Sequence, residues 1–389
     1  MKILYCHYLG KISGVSIGPF VHIQEFAAAM KRRGHQVEIF PALDVSGAAS
    51  GGSSGVRPVS KYIKQFKSLF QNIGAFFRES EKIRRFRPDV IVCRYSLFRI
   101  SIILAARLRR VPLVFEVNSP MAYEVQRLKK EFFYLPVIPA FFEKACLKWA
   151  EVLVVVSGEL KQYLVRLGIP GRRIHVVPNG VDPERMNASR RTGPLPALGP
   201  AQRGVTIGFV GSFNYWHSID SIYNPMKQVL ARFRHAQFVL IGDGFTRPDI
   251  EKRVCEDGLQ KRIRMPGFIA PAEIPAWLSR MDILLAPYPR LDFFYFSPLK
   301  IFEYMAAAKP VLAMRIGQIA EIIEDGVTGF LYSDEAEFIR KITLLIQSRG
   351  TRIRMGKAAR HRIEEKYTWD RSAARIEALC RSIEKGKRG

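Results

Sequence analysis

The residue types best suited to chemistry lie at 292–310, where the chain reads Asp-Phe-Phe-Tyr-Phe-Ser-Pro-Leu-Lys-Ile-Phe-Glu-Tyr-Met-Ala-Ala-Ala-Lys-Pro. Ser297 followed by Pro298 is a helix start, because a serine oxygen can cap free amides and proline's fixed φ suits the first helical position. The helix so begun runs to about Lys309. Lys300 and Glu303, three residues apart, share one face of its first turns. There the unpaired N–H groups and the positive dipole end favour an anion, a phosphate in particular. Glu303, one turn deeper, is placed to accept hydrogen bonds from vicinal hydroxyls such as those of a ribose, as acidic residues do in dinucleotide sites. An amphipathic helix with an exposed Lys300–Glu303 pair satisfies the same spacing. A second polar group, Glu116, Asn118, Ser119, Pro120 and Glu124, belongs to the end of the apolar run 112–117 and the loop after it.

Positioning these groups requires strands that end at them. Residues 2–9 read as a buried strand, followed by Gly10, Gly14 and Gly18 in a loop and a helix from Pro19 with Phe20, Ile23, Ala27 and Met30 at helical spacing. That helix ends at Arg33-Gly34, and 36–40 is the next strand. The glycines do not follow Gly-x-Gly-x-x-Gly, so they mark either a structural turn or a ligand loop. Short Val/Ile/Leu runs at 89–93, 112–117, 151–156 and 173–177 alternate with helical patterns, which means a parallel sheet covered on both faces, with ligands at the carboxyl ends of its strands. A turn at 177–182 leads into an aperiodic Pro/Gly/Ala/Arg-rich linker, 183–203. A second series follows: strand 205–210, the loop Gly211-Ser-Phe-Asn-Tyr-Trp-His-Ser218, a helix, strand 237–241 closed by Gly242-Asp-Gly244, then strands at 262–265, 282–286 and 311–314. The expected organisation is an α/β chain with a first domain at 1–182, the linker, a second domain at 204–366, and a C-terminal helix with a basic tail at 367–389.

At 389 residues the chain exceeds a usual single core, which agrees with two domains. The start, Met-Lys-Ile-Leu-Tyr-Cys-His-Tyr, passes straight into a strand pattern without a signal-peptide core, and no run of 18 apolar residues occurs, so a cytoplasmic location is expected. The scattered cysteines, Cys6, Cys93, Cys146, Cys255 and Cys380, fit buried thiols rather than a disulfide frame or metal cluster. A net charge of +26 calls for an anionic partner: nucleic acid, a membrane face or a phosphate-bearing substrate. Residues 61–87 and 127–144 join basic residues to aromatics, as segments that settle into anionic headgroups do; a core helix with a solvated basic face is the competing reading. No zinc finger, RNP-type motif or helix-turn-helix is found, so nucleic acid is not the expected partner, and a nicotinamide oxidoreductase lacks its glycine fingerprint.

At this point the C-terminal half resembles glycosyltransferase family four, the retaining nucleotide-sugar transferases of GT-B fold. The resemblance is carried by Val177-Pro-Asn-Gly-Val-Asp182, Gly208-Phe-Val-Gly211 with Trp216-His217 and Asp220, Ile241-Gly-Asp-Gly244, Gly267-Phe-Ile, the run from Ala276 to Pro287, and Ser297 to Ala313. Gly34-His-Gln-Val, Glu116-Val-Asn-Ser-Pro and Val156-Ser-Gly-Glu-Leu-Lys agree in the first half. It implies two Rossmann-like domains facing across a cleft, with the C-terminal helix returning to the first. It also implies that Glu303 binds the donor ribose, that the amides around Ser297, Pro298 and Leu299 hold the diphosphate, and that Phe268 lies by the base. Gly211, Gly242 and Asp243 would line the donor, with Asp243 a turn residue. Where the family places an arginine and, five residues on, a lysine, this chain has Ser212 and His217. Cationic stabilisation of the leaving diphosphate is then expected from Lys300, the helix dipole and a protonated His217, beside Trp216. The family's first glutamate is Tyr295 here, which leaves Asp292 as the nearest carboxylate to the donor sugar, and Asn118 stands for the family's N-terminal histidine.

The expected catalytic groups are thus Lys300, His217, Asn118 and Glu116, with Gly14, Gly18 and Glu124 on the acceptor side. The implied reaction transfers sugar from a UDP- or GDP-sugar to a hydroxyl acceptor, a lipid-linked or polysaccharide precursor, with retention, no metal and no cofactor. The implied partners are that donor, that acceptor and an anionic membrane surface. An epimerase of the same fold and a basic nucleic-acid-binding protein are the alternatives.

Overall fold

The structure, a computed structural model, describes residues 1–9, 18–41, 59–125, 137–187, 204–214 and 217–388. It divides into two units, Met1–Asn179 with Trp369–Gly389, and Gly180–Thr368. Glycines 10 and 14, Trp216 and most of the 183–203 stretch lie outside the described residues.

The first unit runs β1 (Lys2–Cys6), α1 (Gly18–Arg32), β2 (Gln36–Phe40), α2 (Val59–Phe86), β3 (Val90–Arg94), α3 (Ser101–Leu108), β4 (Leu113–Val117), the single turn α4 (Met121–Tyr123), α5 (Val137–Leu147), β5 (Val152–Val155), α6 (Gly158–Arg166) and β6 (Ile174–Val176). Its six strands pair in parallel in the order β2-β1-β3-β4-β5-β6. All of β4 and β5 is buried, as continuous apolar strands must be when helices cover both faces. Burying each such Val or Leu contributes about 1.5–3 kcal/mol, which is what draws these runs out of helix and into the sheet centre.

The second unit runs β7 (Val205–Val210), α7 (Tyr223–Arg232), β8 (Ala236–Ile241), α8 (Arg247–Glu256), β9 (Ile263–Gly267), α9 (Ile274–Ser279), β10 (Ile283–Ala286), α10 (Leu299–Ala306), β11 (Val311–Met314), α11 (Gly317–Ile322), β12 (Gly329–Tyr332), α12 (Glu335–Gln347) and α13 (Arg349–Lys366). Its parallel order is β12-β11-β10-β7-β8-β9. The chain steps outward from β7 and returns on its other side at β10, so the strand order reverses between them. The first sheet reverses in the same way between β1 and β3. In sheets of this kind ligands bind outside the carboxyl ends of the strands at that reversal. The last helix, α14 (Trp369–Arg388), packs on α1 of the first unit, where Arg32 pairs with Asp370 at 3.0 Å and Arg33 with Glu377 at 2.7 Å.

Three local expectations are corrected. The helix after Ser297 has Pro298 at its cap position and no side-chain cap hydrogen bond, and it ends at Ala306, because the chain needs the residues beyond to reach β11. On α2, Asn72, Ala75, Glu79, Ser80 and Ile83 are buried while Ile73 and Phe77 are 61% and 66% exposed, so the apolar side of this helix is not wholly core. Of the cysteines, Cys255 is exposed and the other four are buried.

Candidate active site

In the second unit the carboxyl ends of β7 and β10 meet the start of α10. Tyr304 fixes this junction: its hydroxyl accepts from the Val210 N–H at 2.7 Å and donates to the Val210 carbonyl at 3.1 Å. The helix begins free of a side-chain cap, so the first amides, which lack intrahelical acceptors, are not occupied by one. Lys300 folds back beneath the β7 turn. Its Nζ lies 4.3 Å from the centre of the Phe209 ring and 5.5 Å from that of Tyr288, and finds no hydrogen-bond partner among the described residues. A Cβ on Gly211 would stand 2.5 Å from that Nζ, so a glycine is what makes room for the lysine. Burial lowers the Lys300 pKa to about 7, with Glu303 opposing the shift. Lys300 and Glu303 do not form the exposed ion pair that their spacing allows; Glu303 is half-buried, and burial raises its pKa against the pull of Lys300 and Arg185.

His217 corrects the expectation of a second cation. Its Nδ1 donates to the Ser212 carbonyl at 2.8 Å and lies 3.0 Å from the Ser212 hydroxyl. Burial, and then the neighbouring Lys300, lower its pKa to about 3, so the ring is neutral. Two like charges in one enclosed place are avoided by keeping the weaker base uncharged.

The other expected donor-side residues border the same edge. Gly242 has φ +134, and a Cβ there would lie 1.9 Å from the Gly211 carbonyl oxygen, so the β7 and β8 turns touch backbone to backbone. Asp243 is a turn residue: its side chain accepts from the Gly244 N–H at 2.8 Å, and its carbonyl accepts from the Phe213 N–H at 2.8 Å. Phe268, just after β9, is 53% exposed. Asp292 is exposed, whereas Tyr295 is buried, its ring 4.2 Å from that of Phe296, so the two candidates for the missing carboxylate stand in opposite environments. Among the described residues no three His, Cys, Asp or Glu side chains are grouped as metal ligands.

In the first unit Glu116 is buried near the end of β4 with both oxygens engaged, one by the Tyr5 hydroxyl and one by His22 Nε2. Burial opposes its ionisation, yet His22, Arg94 and Tyr5 together bring its pKa down to about 2. His22 Nδ1 meets Asn179 Oδ1 at 2.8 Å, and its ring stands edge-on to Trp369 at 5.1 Å. Glu116 therefore holds α1 and the 178–179 segment in place rather than facing outward as a free base. Asn118 follows β4 with its Nδ2 buried and unpartnered among the described residues. Gly18 opens α1, and Glu124 closes α4, donating its N–H to the Pro120 carbonyl. His22 and Asn179 are additions to the expected set. His22 adjoins Ile23 on the apolar face of its helix, which is a signal, but its partner lies 94 residues away.

Residues 18–185 match the Glycosyltransferase Family 4 model and residues 204–348 the Glycosyl transferases group 1 model. The chain is similar to an alpha-D-kanosaminyltransferase of Streptomyces kanamyceticus, 25% identical over 289 residues, covering 72% of this chain and 73% of that protein. It is also similar to a D-inositol 3-phosphate glycosyltransferase of Xylanimonas cellulosilytica, 25% identical over 393 residues, with 93% and 91% covered. Among solved structures, a glycosyltransferase of Rickettsia africae superposes with a TM-score of 0.72 at 16% identity, covering 98% of each chain. HepE of Anabaena, solved in complex with UDP, gives 0.71 at 18% identity, covering 98% of this chain and all of that one. At these identities the superpositions speak for the fold, two Rossmann-like units of GT-B type.

Proposed function

The chain belongs to the glycosyltransferases, with a Family 4 domain ahead of a group 1 domain, and from that premise we propose that it moves a sugar from a UDP- or GDP-sugar to a hydroxyl acceptor with retention of anomeric configuration. The observation that carries the donor assignment is Lys300, an enclosed ammonium without a partner among the described residues, at the start of α10 beneath a glycine turn at the strand reversal. Such a group is stabilised by an arriving diphosphate and stabilises it in turn. As the bond to the sugar breaks, negative charge grows on the leaving diphosphate, and Lys300 and the first amides of α10 are already aimed at it. Glu303 accepts from the ribose hydroxyls. Gly242 and Asp243 line the donor, and Phe268 offers its exposed ring to the base. The acceptor hydroxyl attacks from the face the diphosphate leaves, so the reaction needs positioning and charge stabilisation and no enzyme nucleophile. That HepE was solved with UDP supports a uridine donor.

For the acceptor, a lipid-linked precursor at an anionic membrane face accounts for the +26 charge together with exposed Ile73, Phe77 and Phe141 on α2 and α5. No helix among the described residues is long and apolar enough to cross a membrane.

A thermal-shift screen of UDP-, GDP- and ADP-sugars against the full chain tests the donor. Glu303→Ala should weaken binding of the active sugar nucleotide by about 1.5–3 kcal/mol, the value of a hydrogen bond to a charged group, with little loss of fold. Unchanged affinity for every nucleotide sugar would remove the ribose assignment. Product anomeric configuration, read by NMR, decides retention.

A further inference from the structure

Resting on the transferase reading above and going beyond it to the acceptor, we propose that Arg94 holds an anionic group of that acceptor, a phosphate or a carboxylate, at the carboxyl edge of the first sheet. Arg94 is the last residue of β3, at the point where the strand order of this sheet reverses between β1 and β3. Its cross-strand neighbour on β4 is Glu116, and on the other side Cys93 pairs with Cys6, which puts His7 beside it. Each ionisable neighbour on this face is already committed. Glu116 gives one oxygen to Tyr5 and the other to His22. The His7 ring bonds the Pro41 carbonyl through Nε2 at 2.8 Å and accepts the Leu9 N–H at Nδ1, which fixes it as the neutral tautomer.

Arg94 draws Glu116 toward its ionised form, yet among the described residues no ion pair joins the two, and Arg94 Nη1 is buried with no hydrogen-bond partner. The side chain as a whole is only half-buried, so the guanidinium is within reach of a ligand. Asn118, two residues beyond Glu116 on the adjacent strand end, adds a second buried, unpartnered donor, Nδ2. Two buried N–H donors without a partner among the described residues, one at the end of β3 and one just beyond β4, suit an oxyanion. A guanidinium fork grips phosphate and carboxylate alike through paired hydrogen bonds.

The test is a calorimetric titration of inorganic phosphate and, separately, of glucuronate into the full chain carrying Lys300→Met, which removes the diphosphate cation of the second unit. Binding of at least one anion is expected. Adding Arg94→Gln should weaken it about tenfold or more, and Arg94→Lys, which keeps the charge and loses the fork, should weaken it less. Loss confined to phosphate assigns a phosphorylated acceptor, and loss confined to glucuronate an acidic sugar. The proposal is overturned if neither anion binds, or if Arg94→Gln binds both as tightly as its parent. In the otherwise unaltered chain, Arg94→Gln should keep the shift caused by nucleotide sugar. If the parent shows no such shift, the donor reading fails while the anion titration still decides Arg94.

Discussion

Lys300 is held under conflicting demands. An enclosed ammonium without a partner weakens the fold and serves only a bound anion, so Lys300→Met should raise the thermal midpoint while abolishing donor binding. The pH dependence has a definite sign. With the folded pKa lowered to about 7 from the ordinary 10.5, the unfolded chain holds a proton that the folded chain has lost between those values, and stability rises with pH across that window. Below pH 7 the penalty is present in full. Chemical unfolding of Lys300→Met should show a flatter slope over the same range, and an unchanged slope would mean that the ammonium is solvated. His217 behaves differently, since its pKa of about 3 leaves the ring neutral throughout the working range. His217→Asn should therefore leave the shape of the pH–rate profile between about pH 5 and 8 as it is in the parent, whatever it does to the height.

At the scale of elements, α10 is held from two sides: Tyr304 ties it to the end of β7, and α13 packs on it where Gly356 approaches the Ala308 carbonyl. A Cβ on Gly356 would lie 2.0 Å from that oxygen, so Gly356→Ala must push the helices apart. It should cost about 1–3 kcal/mol in denaturant unfolding, the usual cost of overpacking. Gly350, in the first turn of the same helix, has nothing within 4 Å of an added Cβ, and Gly350→Ala should be neutral or stabilising by up to about 1 kcal/mol. Equal effects at the two positions would show that helix propensity, and not the close approach, controls α13.

For the whole molecule the surplus positive charge and the exposed apolar side chains make one prediction. The protein should sediment with vesicles containing anionic lipid more than with neutral ones, and salt should release part of it, as screening shortens the reach of surface charge. Ile73→Ser with Phe77→Ser should reduce sedimentation without lowering the thermal midpoint, because these side chains are 61% and 66% exposed. Equal recovery with both lipids would leave the charge without a membrane role.

The sequence by itself determined the alternation of apolar strands and helices, and with it two parallel sheets, because a strand buried on both faces needs a continuous run of Val, Ile and Leu and a helix needs its own period. It also determined that Lys300 and Glu303 share a helix start, since three residues of helix allow no other arrangement. What it could not determine was which charges survive burial. That Lys300 lies enclosed beneath Gly211, that His217 is neutral beside it, and that Glu116 is claimed by Tyr5 and His22 are decided by contacts between residues five to more than a hundred positions apart. A pKa answers to everything packed around the group, and only the tertiary structure brings those neighbours together.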